Sequence, residues 1–142
     1  MIDTKPTSFE QWLTTVADSI RADPLWKYAA YPKSLFLFDL AWHDCEHLLS
    51  DARGKKLAEQ LIRAAGSIGA NIEEGYSKGF GADYARYLQI ALGSARETRG
   101  WYWRSRHLLP HAVVEHRITL ITEIMSLLLT TIPQQRQIKK KK

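Results

Sequence analysis

Apolar side chains recur every three to four residues along most of the chain, the period of a helix with one buried stripe. Four long helices are predicted. Helix A, about residues 34–50, carries Leu35, Phe38, Trp42, Cys45 and Leu49 on its expected inner face. Helix B, about 54–75, carries Leu57, Leu61, Ala64, Ile68, Asn71 and Gly75, with Gly75 expected to cap its C-terminus. Helix C, about 82–107, carries Tyr84, Leu88, Ala91, Ala95, Thr98 and Tyr102. Helix D, about 111–132, carries Val114, Ile118, Ile121, Met125, Leu128 and Ile132, between Pro110 and Pro133.

No strand-like alternation competes with these stripes. Short connections between long amphipathic helices make neighbours antiparallel, so the expected fold is all-α, an up-down-up-down four-helix bundle over 34–132. Residues 1–33 are expected as an N-terminal helical extension. Its first helix, about 9–22, starts after the N-cap Ser8, with Phe9, Trp12, Leu13, Val16 and Ile20 on one side. Asp23-Pro24 and Tyr31-Pro32 should interrupt it, because proline disfavours a helical residue before it. Residues 133–142 are expected as a basic C-terminal tail.

The segment Ile62-Arg-Ala-Ala-Gly-Ser-Ile-Gly-Ala-Asn-Ile-Glu-Glu-Gly75 and the run Leu88-Gln-Ile-Ala-Leu-Gly-Ser-Ala-Arg-Glu97 change the picture of the B–C pair. Small residues four apart, such as Ala65 and Gly69 or Ala91 and Ala95, let two helix axes approach closely. An antiparallel pairing about a turn at 76–81 sets Arg63 opposite Glu97 and Glu74 opposite Arg86. Together with Asn71 these five residues are expected as a structural polar core that penalises helix slippage. A carboxylate active site is excluded within one chain, since Glu97 lies roughly 30 Å from Glu73 and Glu74 along the helix direction.

Composition adds the charge. The chain of 142 residues is 45% hydrophobic and 25% charged, with a formal net charge of +5. That charge is uneven: residues 1–50 hold 4 Lys/Arg against 7 Asp/Glu, and residues 109–142 hold 6 against 2. Four of the last group are Lys139, Lys140, Lys141 and Lys142. Basic patches attract nucleic acid or acidic proteins without conferring sequence preference. A single cysteine, Cys45, excludes an intrachain disulfide, and neither a signal peptide nor a membrane span is evident, so a cytoplasmic protein is expected.

The pattern Arg63-Ala64-Ala65-x-Ser67-Ile68-x-x-Asn71-Ile72-x-Glu74-Gly75, followed by Tyr87-Leu88-x-Ile90-Ala91-x-Gly93-Ser94-x-x-Glu97, resembles a bacterial four-helix-bundle family. That family includes the proteins encoded in intervening sequences of 23S ribosomal RNA genes. More distant relatives are the accessory proteins of diversity-generating retroelements. The resemblance covers about residues 34–132. It implies a homo-oligomer, typically a ring of five bundles, with no enzymatic activity and no cofactor. For the retroelement relatives it implies binding to nucleic acid and to a reverse transcriptase. This chain departs from the pattern in its longer, aromatic lead-in, in an acidic first third, and in a His43-Asp-Cys-Glu-His47 cluster.

Candidate chemistry is sparse. Arg96, Arg99, Trp103 and Arg106 fall within about 80° of one another on a flank of helix C. Three guanidiniums around an indole can hold phosphates and stack a base, or form a cation–π cluster between subunits. The opposite flank, with Ile90, Ser94 and Trp101, is a second contact surface. His43 and His47 share a helix face at a spacing that fits two metal ligands, yet the metalloprotease pattern fails because Asp44 stands where it requires Glu. No further ligands accompany them at fixed spacing, so no metal is assigned. Gly75-Tyr-Ser-Lys-Gly-Phe-Gly81 lacks the strand and spacing of a phosphate loop and reads as a helix–helix turn. Ser67 and Ser94 have no His or Asp partner placed by sequence.

The expected function is a non-enzymatic, homo-oligomeric scaffold, a pentameric ring by the resemblance, binding RNA or DNA through a basic surface. The alternative is a protein-interaction module that docks an acidic partner or a reverse transcriptase.

Overall fold

Asp51 marks the start of the most regular part of the chain. Its carboxylate accepts from the backbone N–H groups of Arg53 and Gly54, 2.7 and 3.1 Å away, which satisfies two of the orphan donors of a helix N-terminus. The Arg53 side chain bonds the same carboxylate, and these contacts hold its pKa down at about 2. From there α4 runs over Ala52–Ser77 in a computed structural model that describes residues 8–138.

Before α4 come α1 (Phe9–Leu13), α2 (Asp18–Arg21) and α3 (Ala30–Leu48); after it come α5 (Ala82–Arg104) and α6 (His111–Gln137). Short 3-10 turns cover Pro24–Lys27 and Ser105–His107. Every regular element among the described residues is helical. None of these helices is long and apolar enough to cross a membrane.

Each long helix packs on its neighbour in sequence, and α3 also meets α6. Adding a Cβ to Gly69 or Gly66 would bring it to 3.1 Å from Ser34 or 3.3 Å from Phe38, so α3 lies close against α4. Going along α4, Arg63 meets Glu97, Ser67 meets Ser94 and Gly75 meets Tyr87. Arg99 reaches Thr122 and Gln89 reaches Arg136 between α5 and α6. The space between the long helices is filled by Leu37, Leu48, Leu61, Ile68, Leu88, Ile121 and Leu128, all with no solvent exposure.

The expected stripes of helices B, C and D face inward almost throughout; that of helix A does not. Trp42 is 58% exposed and Leu49 44%, and the inner face is instead Phe36, Leu37, Leu40, Ala41, Asp44, Cys45 and Leu48. Helix A is apolar on two faces, and the one that turns inward carries the polar Asp44. Its start also differs. Pro32 lies inside the first turn of α3, where its missing N–H would have no intrahelical partner anyway.

Pro133 does not end α6, which continues to Gln137. It deprives the Leu129 carbonyl of a donor, but Leu129 faces solvent, where water can serve instead. Likewise α4 passes Gly75 and ends at Ser77. Gly75 is required for contact, since a Cβ there would sit 2.6 Å from that of Tyr87. The left-handed turn falls to Gly79 and Gly81, with φ of 92° and 97°.

The first helix splits in two. Thr14 and Thr15 hydroxyls donate to the Gln11 and Trp12 carbonyls at 2.6 and 2.7 Å, an alternative to helix continuation. Ile20 is consequently exposed rather than packed. The segment is held to α3 by aromatics: Trp12 stacks on Trp26 and tilts against Phe36, and its indole N–H donates to Asp39 at 2.8 Å.

Candidate nucleic-acid interface

Arg96, Arg99 and Trp103 on α5 and Arg106 in the following 3-10 turn form one surface beside α6. Trp103 is 55% exposed. The Arg106 guanidinium lies 4.3 Å from the centre of its ring and donates to the Trp103 carbonyl at 2.9 Å. Arg99 donates to the Thr122 hydroxyl at 3.3 Å. A cleft of about 580 Å³ is lined by Arg96, Arg99, Gly100, Trp103 and Ile118. A second, of about 350 Å³, is lined by Trp103, Arg106, His111, Glu115 and Ile118. Trp103 and Ile118 line both clefts, Arg96 and Arg99 only the first and Arg106 only the second. Guanidinium forks match phosphate oxygens, and the indole offers a stacking face. Lys139, Lys140, Lys141 and Lys142 lie outside the described residues.

The five expected polar-core residues lie elsewhere. Arg63, Glu74 and Arg86 are exposed, and Asn71 and Glu97 are partly so. They form a surface seam rather than a core, because the inward positions of α4 and α5 are taken by Ala64, Ile68, Ile72, Ala91 and Ala95. Arg63 pairs with Glu97 and also bonds Gln60. Glu97 accepts from the Trp101 indole at 2.7 Å, and that bond, then Arg63, holds its carboxyl below its usual range. Ser67 and Ser94 bond each other at 2.9 Å, and Asn71 donates to the Ser67 carbonyl and hydroxyl. No bond joins Glu74 to Arg86. The Arg86 guanidinium sits 4.8 Å over Tyr87, and the nearby Glu73 accepts from the Tyr31 hydroxyl at 2.6 Å.

His43 and His47 both point to solvent. Among the described residues no three His, Cys, Asp or Glu side chains converge as metal ligands. Cys45 is buried, and burial, then Asp44, pushes its thiol up to about 12.

The charged pair that the sequence reading missed is the most enclosed among the described residues. Asp44 and Arg117 are 0% and 1% exposed. Arg117 donates to both carboxylate oxygens, Nε to Oδ2 at 2.8 Å and Nη2 to Oδ1 at 3.0 Å. The Tyr102 hydroxyl donates to Oδ2 at 2.7 Å. The remaining guanidinium nitrogen meets His116 Nδ1 at 2.7 Å. Arg117 sits one turn before Ile121 and one turn after Val113, so its inward position was readable from the spacing of helix D. Asp44, Arg117 and Tyr102 are fully paired and closed to solvent, with only the half-buried His116 ring reaching a cleft, which suits a structural part rather than a reactive one.

Comparison with known proteins places this arrangement. No curated protein matches the chain. A crystal structure of a protein of unknown function from the S23 ribosomal protein family of Bacteroides thetaiotaomicron is similar, with 28% identity and a TM-score of 0.68. The similarity covers 72% of this chain and 97% of that one. The model of the 23S rRNA-intervening sequence protein family matches residues 28–130, from the last turn before α3 to near the end of α6. Most of the chain is spanned by that match, and the chain belongs to the 23S rRNA-intervening sequence protein family.

Proposed function

We propose that α3 to α6 form an up-down-up-down antiparallel bundle that acts as a non-enzymatic, homo-oligomeric scaffold for nucleic acid in the cytoplasm. The antiparallel order is supported by the contacts between helices. As the number rises along α4 from Arg63 to Gly75, its partner on α5 falls from Glu97 to Tyr87. The same reversal relates α5 to α6 and α3 to α4.

The observation that carries the binding reading is the exposed Trp103, which lines one cleft with Arg96 and Arg99 and another with Arg106. The absence of a catalytic role is supported by how the reactive side chains are engaged: Glu97 serves Arg63 and Trp101, and the two serines bond each other. The family resemblance supports a ring of five, in which the +5 of each chain is repeated fivefold. Affinity for phosphate backbones then falls steeply with salt.

Fluorescence anisotropy of labelled single-stranded RNA and DNA at low and high salt tests the reading. Arg96→Glu with Arg99→Glu should weaken binding at least tenfold and flatten its salt dependence, while light scattering reports unchanged assembly. Unchanged affinity in that variant removes this face. One observation favours the alternative, a protein partner: Arg106 already covers one face of the Trp103 ring, as arginine–aromatic pairs do at protein interfaces. An acidic polypeptide bound in preference to RNA would establish that reading instead.

A further inference from the structure

The second apolar flank of α3 borders α4, where Phe38 and Leu35 lie against Gly66 and Gly69, and beyond that edge it is open among the described residues. Trp42 and Leu49 are exposed, and Leu35 and Phe38 are half-buried in the same row. Opposite them, α4 presents Ile62, Gly66 and the exposed Ala70. Two clefts of about 440 and 290 Å³ lie along this groove. The first is edged by Glu46 and Glu59 and the second by Glu73, against one arginine, Arg63, which is already paired with Glu97. The groove is therefore apolar at its floor and acidic at its edges.

The outer flank of α5 is also apolar, but arginines edge it, and its one carboxylate between Ile90 and Trp101, Glu97, is already paired with Arg63. Ile90 is 44% exposed and Trp101 half-buried. Between them Gly93 is an exposed glycine inside a helix, and a Cβ there would meet nothing within 4 Å. Glycine weakens a helix interior and has no use at an open position unless another backbone comes close. Exposed Arg86 and Arg104 lie at the edges, each guanidinium 4.8 Å from a ring centre, on Tyr87 and Trp101.

We propose that the α3/α4 groove receives the Ile90–Gly93–Trp101 flank of a second copy, with Arg86 and Arg104 set against Glu46, Glu59 and Glu73. Shape and charge agree: a groove meets a flank thinned at Gly93, and a carboxylate rim meets an arginine rim. The contact is heterologous, since two different surfaces pair. It rests on the bundle and oligomer reading above and specifies its interface. With helices at four corners, the α3/α4 and α4/α5 sides stand at about 90° to each other. Joining adjacent sides turns each copy relative to the last and closes a ring of a few copies, whereas joining opposite sides would extend a filament. The Arg96–Trp103 face lies towards α6 and stays open in such a ring.

Two variants test the pairing by light scattering. Trp42→Lys with Glu59→Lys spoils the groove, and Ile90→Lys with Gly93→Lys spoils the flank; all four positions are exposed, and circular dichroism checks the fold. Each variant alone should be monomeric. An equimolar mixture should give a dimer with one chain of each, because one intact groove and one intact flank remain and the lysine-bearing pair repels. A mixture that stays monomeric overturns the pairing. Either variant assembling as the wild type also overturns it, while leaving the oligomer reading intact. A monomeric wild type overturns both. Should a lysine variant lose helicity, Trp42→Gln and Gly93→Gln replace them, each expected to weaken assembly at least tenfold; unchanged assembly counts against the proposal.

Discussion

Arg117 of α6 grips Asp44 of α3 with two hydrogen bonds in a space that water does not reach. The two charges balance, and the Tyr102 hydroxyl and the His116 ring take up remaining valences. Among the described residues no buried side-chain nitrogen or oxygen lacks a partner. Such a pair is costly to break and far less costly to replace whole.

Asp44→Leu or Arg117→Met alone should therefore lower unfolding free energy by about 3–5 kcal/mol, since each strands one buried charge. The double variant Asp44→Leu with Arg117→Met should recover much of that loss. Urea titrations of the four proteins give the coupling directly. Independent, additive losses would mean that the ion pair contributes no specific interaction.

His116 predicts a pH effect of known sign. Burial, then the neighbouring Arg117, lowers its pKa below the usual histidine value of 6.5, with Asp44 acting weakly the other way. Lys33, Glu115 and Glu123 line the same cleft. The unfolded chain then binds the proton more tightly than the folded one. Stability is fully present above pH 6.5 and declines as pH falls through the lower folded pKa. His116→Gln should lose that part of the slope. Melting temperatures of both proteins between pH 7.5 and 5 that fall in parallel would refute the assignment.

Two glycines of the same helix pair should respond oppositely to alanine. At Gly75 a new Cβ would press on Tyr87 and Tyr84, and overpacking of this kind costs about 1–3 kcal/mol. At Gly93 the Cβ enters open space, so in a monomeric background Gly93→Ala should gain about 1 kcal/mol of helix propensity. Denaturant midpoints in the flank-spoiled background, with Ile90→Lys alone, make the comparison.

Cys45 should be nearly inert in the folded protein. Its thiol is buried, donates to the Ala58 carbonyl at 3.8 Å, and is pushed up to about 12. At pH 8 a chromogenic disulfide reagent should label it only as fast as the chain opens. Labelling at the rate of the denatured protein would contradict this burial.

Most of the α5 stripe was legible because its inward residues, from Tyr84 to Tyr102, recur at helical spacing among charged ones, though Ala85 and Leu92 widen it. The phase of α3 was not, because Leu35, Phe38 and Trp42 offer a second apolar face as continuous as the true one. That error hid Asp44 and, with it, the partner of Arg117. Helical angle alone grouped Arg96, Arg99, Trp103 and Arg106. The clefts around them were not legible, since Ile118, Thr122 and His111 come from another helix. Pro32 and Pro133 misled for one reason: proline ends a helix only where its lost hydrogen bond cannot be spared.

The order of contacts along the chain also bears on how fast it folds. Most long-helix contacts join sequence neighbours across tight connections, and chains dominated by such local contacts fold quickly. The meeting of α3 with α6 is the exception, since Asp44 and Arg117 are 73 positions apart. Reaching it means closing a long loop and stripping water from two ions at once. The slow step should therefore be the final closure between the first and last long helices, after helix formation and pairwise collapse are complete.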